Sequence, residues 1–173
     1  MDNSTIQTII QGLGLLSIIG LGWQIRSSNK WNKLSYSINN RLDQYKVDEI
    51  VTQLHGRIDM SSEGLSDVEY EKCIKDDFVL DKIRTILNSY EEICCLYNMG
   101  AIDKNFAYSA YSKSVLYFYE KFKKIIDFYR IKDDDQLEYI EMERCNDIFI
   151  VKEDKEKKSI DKAQKKLALK KKF

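Results

Sequence analysis

The 173-residue chain carries 28 Lys and Arg against 28 Asp and Glu, with one His, four Cys, seven Gly and no Pro. An average chain of this length holds roughly eight or nine prolines, so their absence argues against turn-rich β-sandwiches and barrels and for long helices with few breaks. A single His and the lack of clustered glycines after a strand exclude His-based metal or catalytic sites and glycine-rich phosphate loops.

From Asn3 to Ile25 no side chain is charged, and residues 5–25 hold six Ile and four Leu, with Trp23 near the end. A helix over 5–25 is about 31 Å long, close to the ~30 Å hydrocarbon thickness of a bilayer. Its Ile and Leu supply about −3 to −6 kcal/mol of insertion free energy, partly offset by Gln7, Gln11, Gln24 and Ser17. Gln7 and Gln11 share a face that continues through Gly14, Ile18 and Ile25, so there is no coherent polar stripe for a surface or core helix. Asp2, with no basic residue before the run and no small-x-small site after it, argues against a signal peptide. The expectation is one transmembrane helix at 5–25. Arg26, Lys30, Lys33 and Arg41 follow it, which puts the N-terminus outside and the rest in the cytoplasm, as in a single-pass protein of the bacterial inner membrane. Trp23 and Trp31 join Arg26, Lys30 and Lys33 at the interface, and Gly12, Gly14, Gly20 and Gly22 allow close helix contact within the bilayer. Cys73, Cys94, Cys95 and Cys145 then lie in a reducing compartment, without C-x-x-C or metal-ligand spacing, and read as small buried hydrophobes.

Trp31, Leu34, Ile38, Leu42 and Tyr45, then Ile50, Leu54 and Ile58, keep helical spacing and predict a juxtamembrane helix or helices over 26–58. DMSSEGLS at 59–66 is a loop by composition, and Ser66 with Glu69 forms a capping box for a short helix holding Val68 and Cys73. A helical bundle is expected over 66–150. Its strongest pattern is Val79, Ile83, Ile86, Tyr90, Ile93 and Tyr97, flanked by Leu80, Leu87 and Cys94. Gly100 ends that helix and Asp103 caps the next, which carries Phe106, Ala110, Val115, Phe118, Phe122, Ile125, Ile126 and Tyr129. The two, about 79–99 and 104–131, predict a long antiparallel hairpin. A third helix is expected from Asp135, with Leu137, Ile140, Ile148 and Phe149 apolar. Residues 148–151 also read as a short strand without a visible partner.

Charge separates along the chain: 26–154 hold 19 basic and 25 acidic residues, whereas the tail 155–173 holds nine Lys against Glu156 and Asp161. Ile160, Ala163 and Leu167 share one helical face of that tail. Its lysines, among them Lys162, Lys165, Lys166, Lys170, Lys171 and Lys172, suit an anionic lipid surface at about 1 kcal/mol each. Nucleic acid is the less favoured anion, and a solvated end is the plain alternative.

No cofactor or metal is expected. Glu91, Glu92 and Glu120 lie on the two long helices, but a di-iron bundle needs Glu-x-x-His pairs, and counting from the turn offsets Glu91 from Glu120 by roughly 10 Å. Glu153 and Lys155 lack the strand and upstream acid of a nuclease site, and the acids at 133–135 lack the spacing of a calcium loop, serving instead as acids ahead of a helix start. The aromatics Tyr108, Tyr111, Tyr117, Phe118, Tyr119, Phe122, Phe128 and Tyr129 cover more than one face, and the surplus reads as a patch for another helix or subunit.

LNSYEEI at 87–93, GAID at 100–103 and YFYEKFKKII at 117–126, behind an apolar helix and a basic juxtamembrane segment, resemble the bacterial family catalogued as domain of unknown function forty-seven sixty, over most of 5–131. The resemblance implies a small membrane-anchored helical protein and supplies no reaction. Its signature positions fall on Asn88, Glu91 or Glu92, Asp103, Tyr119 and Glu120, which read as pins of the hairpin: Asp103 as the cap, the carboxylates as partners of Lys121 or Arg84. The expectation is an all-α, non-enzymatic, single-pass interaction or scaffold protein that meets the bilayer and either a protein partner or a second copy of itself. A membrane-disrupting oligomeric effector of abortive-infection or toxin type is the alternative, and an unrecognised enzyme the further one.

Overall fold

The computed structural model describes residues 21, 23–33, 35 and 44–170, and among them every regular element is helical. We number them α1 (23–33), α2 (Gln44–Leu54), α3 (Asp67–Cys73), α4 (Asp77–Asn98), α5 (Lys104–Lys132) and α6 (Ile140–Lys170). Most of the expected membrane-crossing stretch 5–25, including Gly12, Gly14, Gly20 and Gly22, lies outside the described residues. Among those described, no helix is long and apolar enough to cross a membrane.

α4 is the hub, packing against α2, α3, α5 and α6. It starts where the Asp76 carboxylate accepts from the Phe78 and Val79 amides at 3.1 and 3.2 Å, satisfying two orphan donors of the first turn. It stops at Gly100, whose φ of +67° only glycine adopts cheaply. There the Ala101 amide donates to the Leu96 carbonyl and Gly100 to Tyr97, the pairing of a Schellman motif. Asp103 then caps α5 by accepting from Asn105 and Phe106. The resulting antiparallel hairpin is the expected one, with Tyr90 against Phe118 at 5.2 Å and the Tyr129 hydroxyl donating to the Leu80 carbonyl. Ile83, Ile86, Leu87, Val115, Phe122 and Ile125 are fully buried, each contributing about 1.5–3 kcal/mol.

Four features depart from the sequence reading. First, the buried positions near the start of α5 are Ala107 and Tyr111, while the expected Phe106 and Ala110 are half-buried, and the helix bends at Phe122 (φ −107°, ψ 16°). Second, the aromatic surplus is not an exposed patch. α5 packs against both α4 and α6, so it needs two apolar faces, and among its aromatics only Tyr117 ranks with the exposed large hydrophobics. Third, the core extends upstream of 66, because Val47, Ile50, Leu54, Ile58 and Met60 are buried in the same cluster as α4 and α5. α2 ends at Leu54, and Ile58 reaches the core from the turn that follows.

Fourth, the third helix begins at Ile140 rather than at Asp135, and it continues through the basic tail to Lys170 as one element. Residues 148–151 are helical, and the tail is no separate unit in backbone. The acids at 133–135 terminate α5 instead of starting α6: Asp133 is its C-cap, and Asp134 takes the left-handed conformation (φ 51°) usual for glycine. Tyr139 is also left-handed (φ 60°), and its turn re-aims the chain so that Tyr139, Met142, Cys145 and Phe149 are buried while Leu137 and Ile148 are exposed.

Candidate functional site

Among the described residues, two polar clusters pin the helices together, one around the buried Lys121 and one around the half-buried Glu91. The first is the 59–66 loop. Met60 and Leu65 are buried and tie its two ends to the core. Gly64 (φ +75°) lets the chain double back between them. Into this loop projects Lys121, which is 1% exposed. Its Nζ donates to the carbonyls of Asp59 (2.6 Å), Gly64 (2.8 Å) and Ser62 (3.2 Å) and to the Ser62 hydroxyl (2.8 Å). One helical turn earlier, the Tyr117 hydroxyl donates to the Met60 carbonyl. Among the described residues no carboxylate pairs with the ammonium. The nearby acids are held below their ordinary range chiefly by hydrogen bonds, from Ser61 to Asp59 and from Ser66 to Glu69, with the Lys121 charge a smaller contribution. An ammonium whose hydrogens are all engaged by backbone and hydroxyl oxygens offers no lone pair for nucleophilic or Schiff-base chemistry. A cleft of about 460 Å³ lined by Glu63, Gly64, Leu116, Tyr117, Glu120 and Lys121 lies beside it.

The second place is the start of α6, where the charge is negative. Glu91 on α4 accepts from the backbone amides of Glu141 (3.0 Å) and Met142 (2.7 Å), so a side chain from another helix caps α6. Burial raises the Glu91 carboxyl above its ordinary value, and those two amides oppose the rise. Beside it, the Tyr139 hydroxyl donates to Asn88 Oδ1 at 3.1 Å, and Asn98 Nδ2 donates to Glu141 Oε2 at 2.7 Å. From α5, Arg130 donates to the Glu138 carbonyl and pairs with Glu143 at 2.7 Å. Arg84 bridges Asp133 (3.0 Å) and Glu138 (3.5 Å) and stacks over Tyr129. Burial pushes the Glu138 carboxyl and the Tyr139 hydroxyl up. Below this clasp, the Cys94 and Cys145 thiols are neighbours and both are buried; the hydrogen bond from Cys145 and burial raise the Cys94 thiol.

Of the residues the sequence singled out, Asn88 and Glu91 meet at the α6 start, and Asp103 caps α5 as expected. Tyr119 is buried, which pushes its hydroxyl up to about 12. Glu92 and Glu120 are exposed. The expected pairing of these carboxylates with Lys121 or Arg84 does not occur, because Lys121 faces the loop and Arg84 faces the α5–α6 connection. Among the described residues no group of three His, Cys, Asp or Glu converges on a metal position. Trp23, Arg26, Lys30, Trp31 and Lys33 are all exposed on α1. Lys162 and Lys165 are exposed on α6; Lys166 and Lys170 lie in its last turn, with side chains outside the described set, as are Lys171 and Lys172 altogether.

Sequence reasoning missed Lys121, Arg130 and Asn98 as organising residues. One signal was present: Lys121 lies three residues after Phe118 and four before Ile125, on the buried stripe of α5.

With both clasps defined, the sequence matches the family described as Domain of unknown function (DUF4760) over residues 8–147. The chain belongs to this family. The DUF4760 match opens inside the uncharged stretch, takes in both clasps, and ends within the docked part of α6, ahead of its lysine-rich end. No curated protein and no solved structure matches the chain.

Proposed function

We propose that this DUF4760 chain is a single-pass, membrane-anchored helical interaction protein without a catalytic role, acting through a protein partner or a second copy of itself. The observation that carries the reading is the junction between the uncharged run Asn3–Ile25 and α1, where Trp23, Ile25 and Trp31 are 73%, 62% and 67% exposed beside Arg26, Lys30 and Lys33. An apolar run followed by solvent-facing aromatics and cations suits the boundary between hydrocarbon and water. The basic residues after the run favour the cytoplasmic side for the bundle.

The two clasps support the non-catalytic part of the reading, since their charged groups are engaged by backbone donors and acceptors of the bundle itself. A surface suited to a partner lies at the α4 N-terminal end. There a cleft of about 760 Å³ is lined by Arg57, Ile58, Val68, Cys73, Lys75 and Val79, with Val68 66% exposed.

The test is fractionation of the full chain with and without alkaline carbonate, then cross-linking of the membrane-bound form. Retention with discrete oligomer or heteromeric bands is expected. Release by carbonate overturns the anchor, and nucleotide turnover or nucleic-acid cleavage by the purified chain overturns the non-catalytic role. Collapse of membrane potential on expression would move the reading to a membrane-disrupting effector.

A further inference from the structure

Helix α6 outlasts the bundle it packs on. Phe149 sits against Tyr97 at 5.1 Å, Lys152 lies over the Tyr108 ring at 3.7 Å, and the Tyr108 hydroxyl donates to Glu156 Oε2 at 3.1 Å. Tyr97 and Tyr108 flank the Gly100 turn, so α6 passes the end of the α4–α5 hairpin near Glu156. From Asp154 to Lys165 every residue is exposed, and the backbone stays helical to Lys170. The part beyond Glu156 reaches about 21 Å at 1.5 Å per residue. The face of Met142, Cys145 and Phe149 is interrupted by Glu153 and Glu156 and turns apolar again at Ile160, which is 56% exposed, and Ala163. Lys155, Lys158, Lys162 and Lys165 occupy the opposite side by sequence phase. An exposed apolar stripe backed by lysines is the pattern of a helix that lies in a lipid interface.

The direction of this projection selects the occupant. α2 runs antiparallel to α4: Arg57, just past its C-terminal end, pairs with Asp76 at the start of α4 at 2.7 Å, while Asp48 lies within electrostatic reach of the Tyr90 hydroxyl, far along α4. α2 therefore begins toward the Gly100 end, the same end from which the α6 extension leaves. The bundle's own acidic surface is not what the extension packs on, since its described lysines are exposed and Lys157 pairs with Glu153 of its own helix at 3.3 Å.

We propose that residues 157–170 form an amphipathic arm that lies on the anionic surface of the membrane in which the chain is anchored, Ile160 and Ala163 toward the acyl boundary and the lysines toward lipid phosphates. The arm rests on the anchored reading above. Each lysine near an anionic surface favours the bound state by about fivefold, and the apolar stripe adds to this.

The experiment is amide hydrogen exchange of the full chain in bilayers of neutral phosphatidylcholine and in bilayers with a third phosphatidylglycerol. Exchange of amides 158–170 is expected to slow at least about tenfold in the anionic bilayer only. The protection should be lost at high salt and in the combined variant Lys162→Gln, Lys165→Gln, Lys166→Gln and Lys170→Gln, and weakened by Ile160→Ser, with α4 and α5 amides unchanged throughout. Equal exchange in both bilayers overturns the proposal in favour of a solvated end. Protection independent of lipid charge that grows with protein density overturns it in favour of a second copy. Protection only on adding an oligonucleotide overturns it in favour of nucleic acid. Loss of the chain from the bilayer in alkaline carbonate marks failure of the anchor instead, and is scored separately.

Discussion

The Lys121 clasp and the α6 clasp are electrostatic mirror images. In one, a buried cation is surrounded by loop carbonyls; in the other, a half-buried anion receives the first amides of a helix. Neither charge is neutralised chiefly by an opposite side chain. Backbone dipoles perform the solvation that water performs in the unfolded chain, which makes each site depend on main-chain geometry more than on any partner residue. The two differ in what fixes that geometry. The loop has a short run of hydroxyl and carboxylate contacts among Asp59, Ser61, Ser66 and Glu69, whereas the α6 start is gripped from α4 by Asn88, Glu91 and Asn98 and from α5 by Arg130.

The largest effect expected is at Lys121. Lys121→Met strips four oxygens of their donor and should lower unfolding free energy by about 3 kcal/mol or more, read by urea denaturation. Lys121→Arg should not rescue it, because a planar guanidinium does not fit a cage shaped for a compact ammonium. Next comes Glu91→Ala, which orphans the Glu141 and Met142 amides and should cost about 2 kcal/mol. Its loss should concentrate in hydrogen exchange at the start of α6 and leave 59–66 protected. Glu91→Gln, with one acceptor oxygen instead of two, should fall between. A uniform loss across both clasps would mean that they are one unit.

Acidification should separate the clasps further. Burial holds Glu91 above its ordinary value of 4.5, so the folded chain binds that proton more tightly than the unfolded one. Its contribution is therefore fully present below 4.5 and is lost as pH rises past that value. Asp59 and Glu69 are held below their ordinary values of 3.8 and 4.5, so their contributions are present above those values and vanish as pH falls beneath them. After correction for intrinsic exchange rates, the Glu141 and Met142 amides should keep their protection as pH falls toward 4.5. The amides of 59–66 should hold until about pH 4 and then weaken. The smallest effect is a gain: Asp134 is exposed with φ 51°, and Asp134→Gly should raise stability by about 0.5–1 kcal/mol in thermal melts.

Local rules carried much of the fold. The Ser66 and Glu69 capping box, the Gly100 stop and the Asp103 cap are contacts within a few residues, and each stands where spacing put it. The bend at Phe122 has no proline or glycine to announce it. The turn at Tyr139 places a bulky residue in a left-handed conformation, so the start of α6 could not be read from residue type. Both clasps were illegible for a further reason. The partners of Lys121 and Glu91 are backbone atoms, which every residue possesses, so no complementary side chain marks them in the sequence.

The continuity of α6 from Ile140 to Lys170 bears on how its far end forms. A helix pays its entropic penalty at the first turn, with a nucleation constant on the order of 10⁻³, and later residues add at nearly even odds. Residues docked between α4 and α5 nucleate α6, so the extension has only to propagate, through Lys, Ala, Gln and Leu, which are good helix formers. Cut free as a peptide, residues 154–170 would have to nucleate alone and should be mostly coil by circular dichroism. Attached, they are a helix before they meet anything.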